Sequence, residues 1–149
     1  MSASRAFLRD VAAVDELFAF TSDAFGAEGI DQGLRPTVDL VLEELFTNVV
    51  KYGRKSEAAV RVELSRTPGG VEVTVIEDDA ERFDPTAGPA VDTTKPLESR
   101  KPGGLGLHLI GKLVDSIEYR YVEASRQGRT TFRKNARGAG KDGEEDARD

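Results

Sequence analysis

The 149-residue chain contains 38% hydrophobic and 32% charged residues, a composition typical of one soluble globular domain with its own core. Its formal net charge of −6 argues against a general nucleic-acid-binding protein, and the absence of cysteine excludes disulfides and thiolate metal sites. His108 is the only histidine, and there is no secretory leader or apolar run of membrane-spanning length, so we expect a cytoplasmic protein with no membrane partner.

Two segments near the N-terminus carry apolar residues at helical spacing. Residues 6–8 either begin a short strand or lead into the first helix, which is predicted over 10–25 with Gly26 or Gly29 as its terminator. The second helix is predicted over 36–52 and has the clearer periodicity. Its apolar stripe consists of Val38, Val41, Leu42, Leu45 and Val49.

Two polar residues of the second helix, Glu44 and Asn48, are four positions apart and therefore share one helix face. Such pairs usually form part of a solvated polar surface. A carboxylate and an amide in this arrangement could also supply a base for a hydroxyl group and an oxygen ligand for Mg²⁺.

An alternating hairpin is predicted next, with strands over 59–64 and 71–76 joined by the turn signal at 67–70. The second strand ends in three consecutive acids, residues 77–79. These acids form either an ordinary polar loop or part of a ligand site. In the second case Asp78 could accept a hydrogen bond from an exocyclic amine such as that of adenine.

The segment 80–102 has no periodicity and is rich in proline, which is typical of a lid or binding loop. It leads into a glycine-rich turn with Gly103, Gly104 and Gly106, followed by an apolar helix. Glycines allow a backbone to approach a ligand closely, and a helix N-terminus favours phosphate. The alternative is a glycine-rich loop that only turns the chain.

Two further alternating runs, 116–122 and 130–133, complete the sheet, with Gln127 and Gly128 in the turn between them. Residues 136–149 lack large apolar side chains and are expected to form a disordered charged tail, which leaves a single domain over 1–135. This order of elements predicts an α+β fold: a two-layer sandwich with a mixed or antiparallel sheet covered on one face by about three helices.

Three motifs in this order resemble the N, G1 and G2 boxes of the GHKL (Bergerat-fold) ATPases. They are Glu44-Leu45-Phe46-Thr47-Asn48, Asp78-Asp79-Ala80 and Gly103-Gly104-Leu105-Gly106-Leu107. Within that superfamily the chain is most similar to the anti-sigma factor serine kinases, because of its small size, the form of its N box and the sequence Arg82-Phe83-Asp84-Pro85. The resemblance covers about residues 10–134.

The resemblance implies that the chain binds ATP and Mg²⁺, with Asn48 as the metal ligand and Glu44 as the general base. It implies that Asp78 recognises the adenine amino group and that the hydroxyl of Thr130, or of Thr131 if the register differs by one, supports that contact. The remaining implied nucleotide-binding residues are Ala80, Arg100, Lys101, Gly103, Gly104, Leu105, Gly106 and Leu107. In this interpretation Arg100 and Lys101 reach the terminal phosphate, and the glycine turn wraps the phosphates.

The chain departs from the G1 pattern, Asp-x-Gly-x-Gly, because Ala80 and Arg82 replace its two glycines. If the position of Ala80 requires positive φ, alanine there costs on the order of 1 kcal/mol and is expected to weaken nucleotide binding.

The function implied by the resemblance is that of an anti-sigma factor and ATP-dependent serine kinase. Its partners would be a sigma factor or similar regulator and a STAS-domain anti-anti-sigma protein as phosphorylation substrate, and the kinase would be a homodimer. The alternative is a catalytically weak or inactive binding module of the same fold that sequesters a regulatory partner. An accessory domain of a two-component system is disfavoured, because there is no upstream helix with a phosphoacceptor histidine.

Overall fold

The computed structural model describes residues 2–52, 58–82, 84 and 110–136. In chain order the main elements are β1 (Ser2–Phe7), α1 (Val14–Glu28), α2 (Arg35–Tyr52), β2 (Val60–Thr67), β3 (Gly70–Glu77), β4 (Ser116–Val122) and β5 (Gln127–Asn135). Short 3₁₀ turns, Val11–Ala13 and Gln32–Leu34, lead into the two long helices. Residues 110–113 are also helical.

The five strands form one antiparallel sheet in the order β1-β2-β3-β5-β4. The predicted α+β fold is therefore confirmed, and of the two predicted kinds of sheet the antiparallel one is present. The β2–β3 hairpin lies where its alternating pattern predicted it.

Alternation along the strands gives the sheet two different faces. We call the face that carries Val62, Val73 and Val75 the helix face, because these residues share one core cluster with the buried side chains of α1 and α2. The opposite face, with the alternate residues of the same strands, is called the outer face. Phe7 and Phe46 meet edge to face in the core, with ring centroids 6.3 Å apart, and so connect β1 to α2.

The first strand and the first helix are longer than predicted. β1 is a complete edge strand, because it pairs with β2 from Ser2 to Phe7. α1 continues through Gly26, and it ends before Gly29, which takes φ of 69° and bonds back to the helix. Of the two predicted terminators, Gly29 is therefore the one at which the helix ends.

The prediction that Gln127 and Gly128 form the last turn is wrong. Both residues belong to β5, where they pair with Val122 and Tyr121, and the turn is 123–126 instead. The longer ladder satisfies backbone groups that a turn at these residues would leave unpaired. Thr130 consequently lies inside the strand and not near its start.

Several predictions concern segments outside the described residues. These are the stop at Gly53, most of the loop and glycine turn over 85–109, and the charged tail over 137–149. Within the part of the chain that is described, no helix has the length and apolar character needed to span a membrane.

Candidate functional site

The helix α2 carries the first part of the candidate site. Asn48 is only 2% exposed and follows Val41 and Leu45 along the buried stripe of α2, so that it lies on the buried side of the helix. Glu44, one turn earlier on the same side, is partly exposed. The helix therefore presents a buried amide next to a carboxylate that solvent or a ligand can reach.

The electrostatic surroundings of Glu44 favour its protonated form. Burial raises the pKa of Glu44 above its usual value, repulsion from Glu43 raises it further, and Lys51 partly opposes the shift. A carboxylate with a raised pKa is a stronger base than an ordinary surface glutamate, which is the property required of a proton acceptor.

The acidic end of β3 contributes a second group, but the residue on the helix face is Glu77. Glu77 continues the alternation of Val73 and Val75, lies opposite the core residue Val60 and is 4% exposed. The carboxylate nearest to α2 at this strand end is thus one residue earlier in the chain than Asp78.

Asp78 belongs to the outer face. Its carboxylate accepts hydrogen bonds from Arg61 Nε at 2.9 Å and from Gln127 Nε2 at 2.8 Å. The hydrogen bond from Arg61 holds the pKa of Asp78 below its usual value, with help from Gln127 and from the positive charges of Arg61 and Arg129, although partial burial opposes the shift. The structure therefore does not bring Asp78 together with Asn48.

Glu77 forms a buried ion pair with Arg9, just after β1. Arg9 Nη1 donates to Glu77 Oε2 at 2.8 Å, and the two side chains are only 10% and 5% exposed. Arg9 also reaches the carbonyls of Val49 at 3.5 Å and Ala58 at 3.4 Å. Burial raises the pKa of Glu77, whereas the hydrogen bond and charge of Arg9 oppose that shift.

The two candidate threonines lie on opposite faces as well. Thr130 is paired with Val75 on the helix face and is 2% exposed. Thr131 is paired with Thr74 on the outer face, where their hydroxyl oxygens are 2.9 Å apart. Thr130, the preferred residue of the two, is therefore the one that shares the helix face with Glu77.

The expected strain at Ala80 does not occur. The residue with positive φ in this turn is Asp79, at 49°, and Ala80 is outside that region. Ala80 is instead held by the β4–β5 hairpin: its N–H donates to the carbonyl of Arg126 at 2.8 Å, and the hydroxyl of Tyr121 donates to its carbonyl at 2.6 Å. The condition for that cost, a positive φ at Ala80, is therefore not met, because the turn takes its positive φ at Asp79.

The remaining predicted site residues, Arg100, Lys101, Gly103, Gly104, Leu105, Gly106 and Leu107, lie outside the described residues. Arg9 and Glu77 are not among the site residues predicted from the sequence. Alternation was a usable signal for Glu77, because Val73, Val75 and Glu77 occupy every second position of the strand and therefore point to the same face. Arg9 had no such signal, since its partner is 68 positions away.

Comparison with known proteins gives one family match. The model of the family described as "Histidine kinase-like ATPase domain" matches residues 7–134. No curated protein sequence matches the chain.

Solved structures also match the chain, among them the two that follow. The structure of the RsbU and RsbW domains of Rv1364c from Mycobacterium tuberculosis matches with a TM-score of 0.60 at 13% identity, over 91% of this chain and 32% of that one. The chain thus spans about a third of the length of that structure. The Acinetobacter baumannii histidine kinase AdeS matches with a TM-score of 0.45 at 14% identity, over 89% of this chain and 67% of that one.

Proposed function

Because the chain belongs to the family of histidine kinase-like ATPase domains, which matches residues 7–134, we propose that it is an ATP-dependent protein serine kinase that also acts as an anti-sigma factor. Because the family is one of ATPase domains, ATP binding is its general property, and the serine kinase and anti-sigma activities are the more specific part of the proposal. The observation that supports a phosphoryl-transfer activity is the pair on α2: a buried Asn48 one turn after the partly exposed Glu44, whose pKa is raised.

Asn48 on α2 is the residue proposed to hold the magnesium ion of the nucleotide. Mg²⁺ favours oxygen ligands and keeps several water and phosphate ligands of its own, so that one protein amide is enough to anchor it. Asn48, which is buried on α2, is the residue proposed to ligate the ion. When bound, the ion supplies charge neutralisation for the phosphates during phosphoryl transfer.

Glu77 is the residue proposed to read the base. Its carboxylate is on the helix face, where it can accept a hydrogen bond from the exocyclic amine of adenine, and the buried Thr130 lies near it on the next strand. Asp78 was the residue expected from the sequence, but its carboxylate is already bound by Arg61 and Gln127 on the outer face.

Glu44 is proposed as the general base that orients the serine hydroxyl of the substrate and accepts its proton. Phosphoryl transfer depends mainly on positioning and charge neutralisation, and a positioned base contributes about 10²–10⁴-fold. The substrate serine is proposed to belong to a STAS-domain anti-anti-sigma protein. The other proposed partner is a sigma factor or similar regulator, and we propose that the kinase acts as a homodimer.

The test is transfer of label from γ-labelled ATP to a STAS-domain protein by wild type, Glu44→Ala and Glu43→Ala. Glu43 is the control, because it is the exposed acid beside Glu44, its replacement makes the same charge change, and burial remains the larger cause of the raised pKa of Glu44. We expect Glu44→Ala to lose at least about 100-fold in rate with ATP affinity retained, and Glu43→Ala to stay within a few-fold of wild type. Equal rates for Glu44→Ala and wild type would contradict the general-base role.

The alternative of an inactive binding module rested on Ala80 and Arg82. Ala80 lies outside positive φ, so backbone strain at this residue gives no reason for lost nucleotide binding, and Arg82 stacks on the ring of Tyr121 at 5.0 Å. A thermal-shift measurement with Mg·ATP separates the two functions, because a ligand that binds only the folded protein raises its apparent stability.

A further inference from the structure

The guanidinium group of Arg9 has one nitrogen without a hydrogen-bond partner. Nη1 and Nε bond to Glu77, Val49 and Ala58, whereas Nη2 is fully buried and has no acceptor. Among the described residues it is the one buried side-chain polar atom in this state. A buried N–H group of a charged side chain that lacks an acceptor is costly, so its retention calls for a partner that the protein alone does not supply.

One carboxylate oxygen of Glu77 lacks a hydrogen-bond donor among the described residues. Its carboxylate accepts from Arg9 through Oε2, and within the described part of the chain no donor is found for Oε1. The ion pair therefore places a spare acceptor on Glu77 beside a spare donor on Arg9. It lies against the C-terminal half of α2, because Arg9 also bonds to the carbonyl of Val49, the residue after Asn48.

We propose that Arg9 and Glu77 together form the base-reading element of the nucleotide site, with Arg9 Nη2 donating to the ring nitrogen beside the amino group that Glu77 accepts. Adenine presents this order of groups, an amine donor next to the N1 acceptor. Guanine presents the reverse order, a carbonyl acceptor next to the N1–H donor, so that both contacts become repulsive.

This assignment rests on the proposed nucleotide site and extends it to a specificity-determining residue. Nη2 has less than 1 Å² of exposed surface, so the groups that cover it have to move when the base binds. A guanidinium that donates to a ring nitrogen is a charge-assisted hydrogen bond, for which we expect an effect of about tenfold or more on affinity.

The experiment is calorimetric titration of the full chain with Mg·ATP, Mg·GTP and Mg·1-deaza-ATP, in which a C–H group replaces N1. Wild type is expected to bind ATP at least about tenfold more tightly than the deaza analogue and to discriminate more strongly against GTP. Arg9→Met is expected to bind ATP and the deaza analogue with equal affinity. Arg5→Met is the matched control, because Arg5 pairs with Glu16 on an exposed surface, and it should behave as wild type.

The outcomes separate this assignment from the function on which it rests. Tight binding of ATP by wild type, with equal affinity for the deaza analogue, overturns the role of Arg9 and leaves the nucleotide site intact. Absence of any Mg·ATP binding by wild type overturns both. The comparison of the two nucleotides on wild type needs no variant, so a misfolded Arg9→Met protein does not remove the test.

Discussion

Glu77 and Asp78 are adjacent acids at the end of β3, but they occupy different regions of the molecule. Glu77 is on the helix face, where burial raises its pKa and one buried arginine binds it. Asp78 is on the outer face, where its pKa is lowered by a hydrogen bond from Arg61. The face of the sheet, and not the motif position, therefore decides which of the two carboxylates faces the helices.

The two ion pairs also differ in what they contribute to folding. The outer pair is about one-third exposed at both Arg61 and Asp78, and Arg61 also lies 3.9 Å from Glu63. Exposed pairs of this kind contribute about 0–1 kcal/mol. In the buried pair, the attraction between Arg9 and Glu77 offsets the cost of removing both charges from water. Removing only one partner therefore leaves an uncompensated charge in the interior.

The largest expected effect comes from breaking the buried pair. Glu77→Ala is expected to lower the free energy of unfolding by about 3–5 kcal/mol, because Arg9 is left buried and unpaired. Asp78→Ala is expected to change it by less than about 1 kcal/mol. Urea denaturation of both variants measures the difference.

The double variant Arg9→Met with Glu77→Met is the control for this comparison. It removes both charges, and most of the stability lost in Glu77→Ala should return. If Asp78→Ala were as destabilising as Glu77→Ala, the contrast between the two faces would be wrong.

A smaller effect is expected on the pH dependence of stability, with opposite signs for the two acids. The raised pKa of Glu77 means that the folded protein holds its proton more tightly, so stability falls as pH rises from about 4.5 through the folded pKa. The lowered pKa of Asp78 means that its contribution is present above pH 3.8 and is lost as pH falls through the folded pKa.

Urea midpoints measured across this pH range test the signs. Glu77→Gln is expected to remove the decline above pH 4.5, and Asp78→Asn is expected to reduce the loss below pH 3.8. A steeper decline above pH 4.5 in Glu77→Gln would show that burial is not the dominant influence on this carboxyl group.

The sequence predicted the fold because its main elements have strong local patterns. The stripe of α2 and the alternation of β2 and β3 both depend on residues a few positions apart, and both helix and hairpin are present. The site was harder to predict because a one-residue shift at a strand end moves a side chain to the other face, as with Glu77 and Asp78.

Other parts of the site had no local signal at all. The contact of Arg9 with Glu77 depends on the pairing of β1 with β2 and of β2 with β3, which local periodicity does not specify. The choice between Thr130 and Thr131 depended likewise on the register of β5 against β3. The roles of the glycine turn over 103–107 stay predictions.

Glu77, the helix-face carboxylate, is proposed to bind the adenine base, and calorimetric titration of Mg·ATP into Glu77→Gln and Asp78→Asn tests this role most directly. Both substitutions are isosteric and remove one negative charge at neighbouring positions. Because a hydrogen bond to a charged acceptor is stronger than one to an amide, Glu77→Gln should weaken ATP binding by about tenfold, and Asp78→Asn should stay within about twofold of wild type. Weakened binding in Asp78→Asn with unchanged binding in Glu77→Gln would contradict the account.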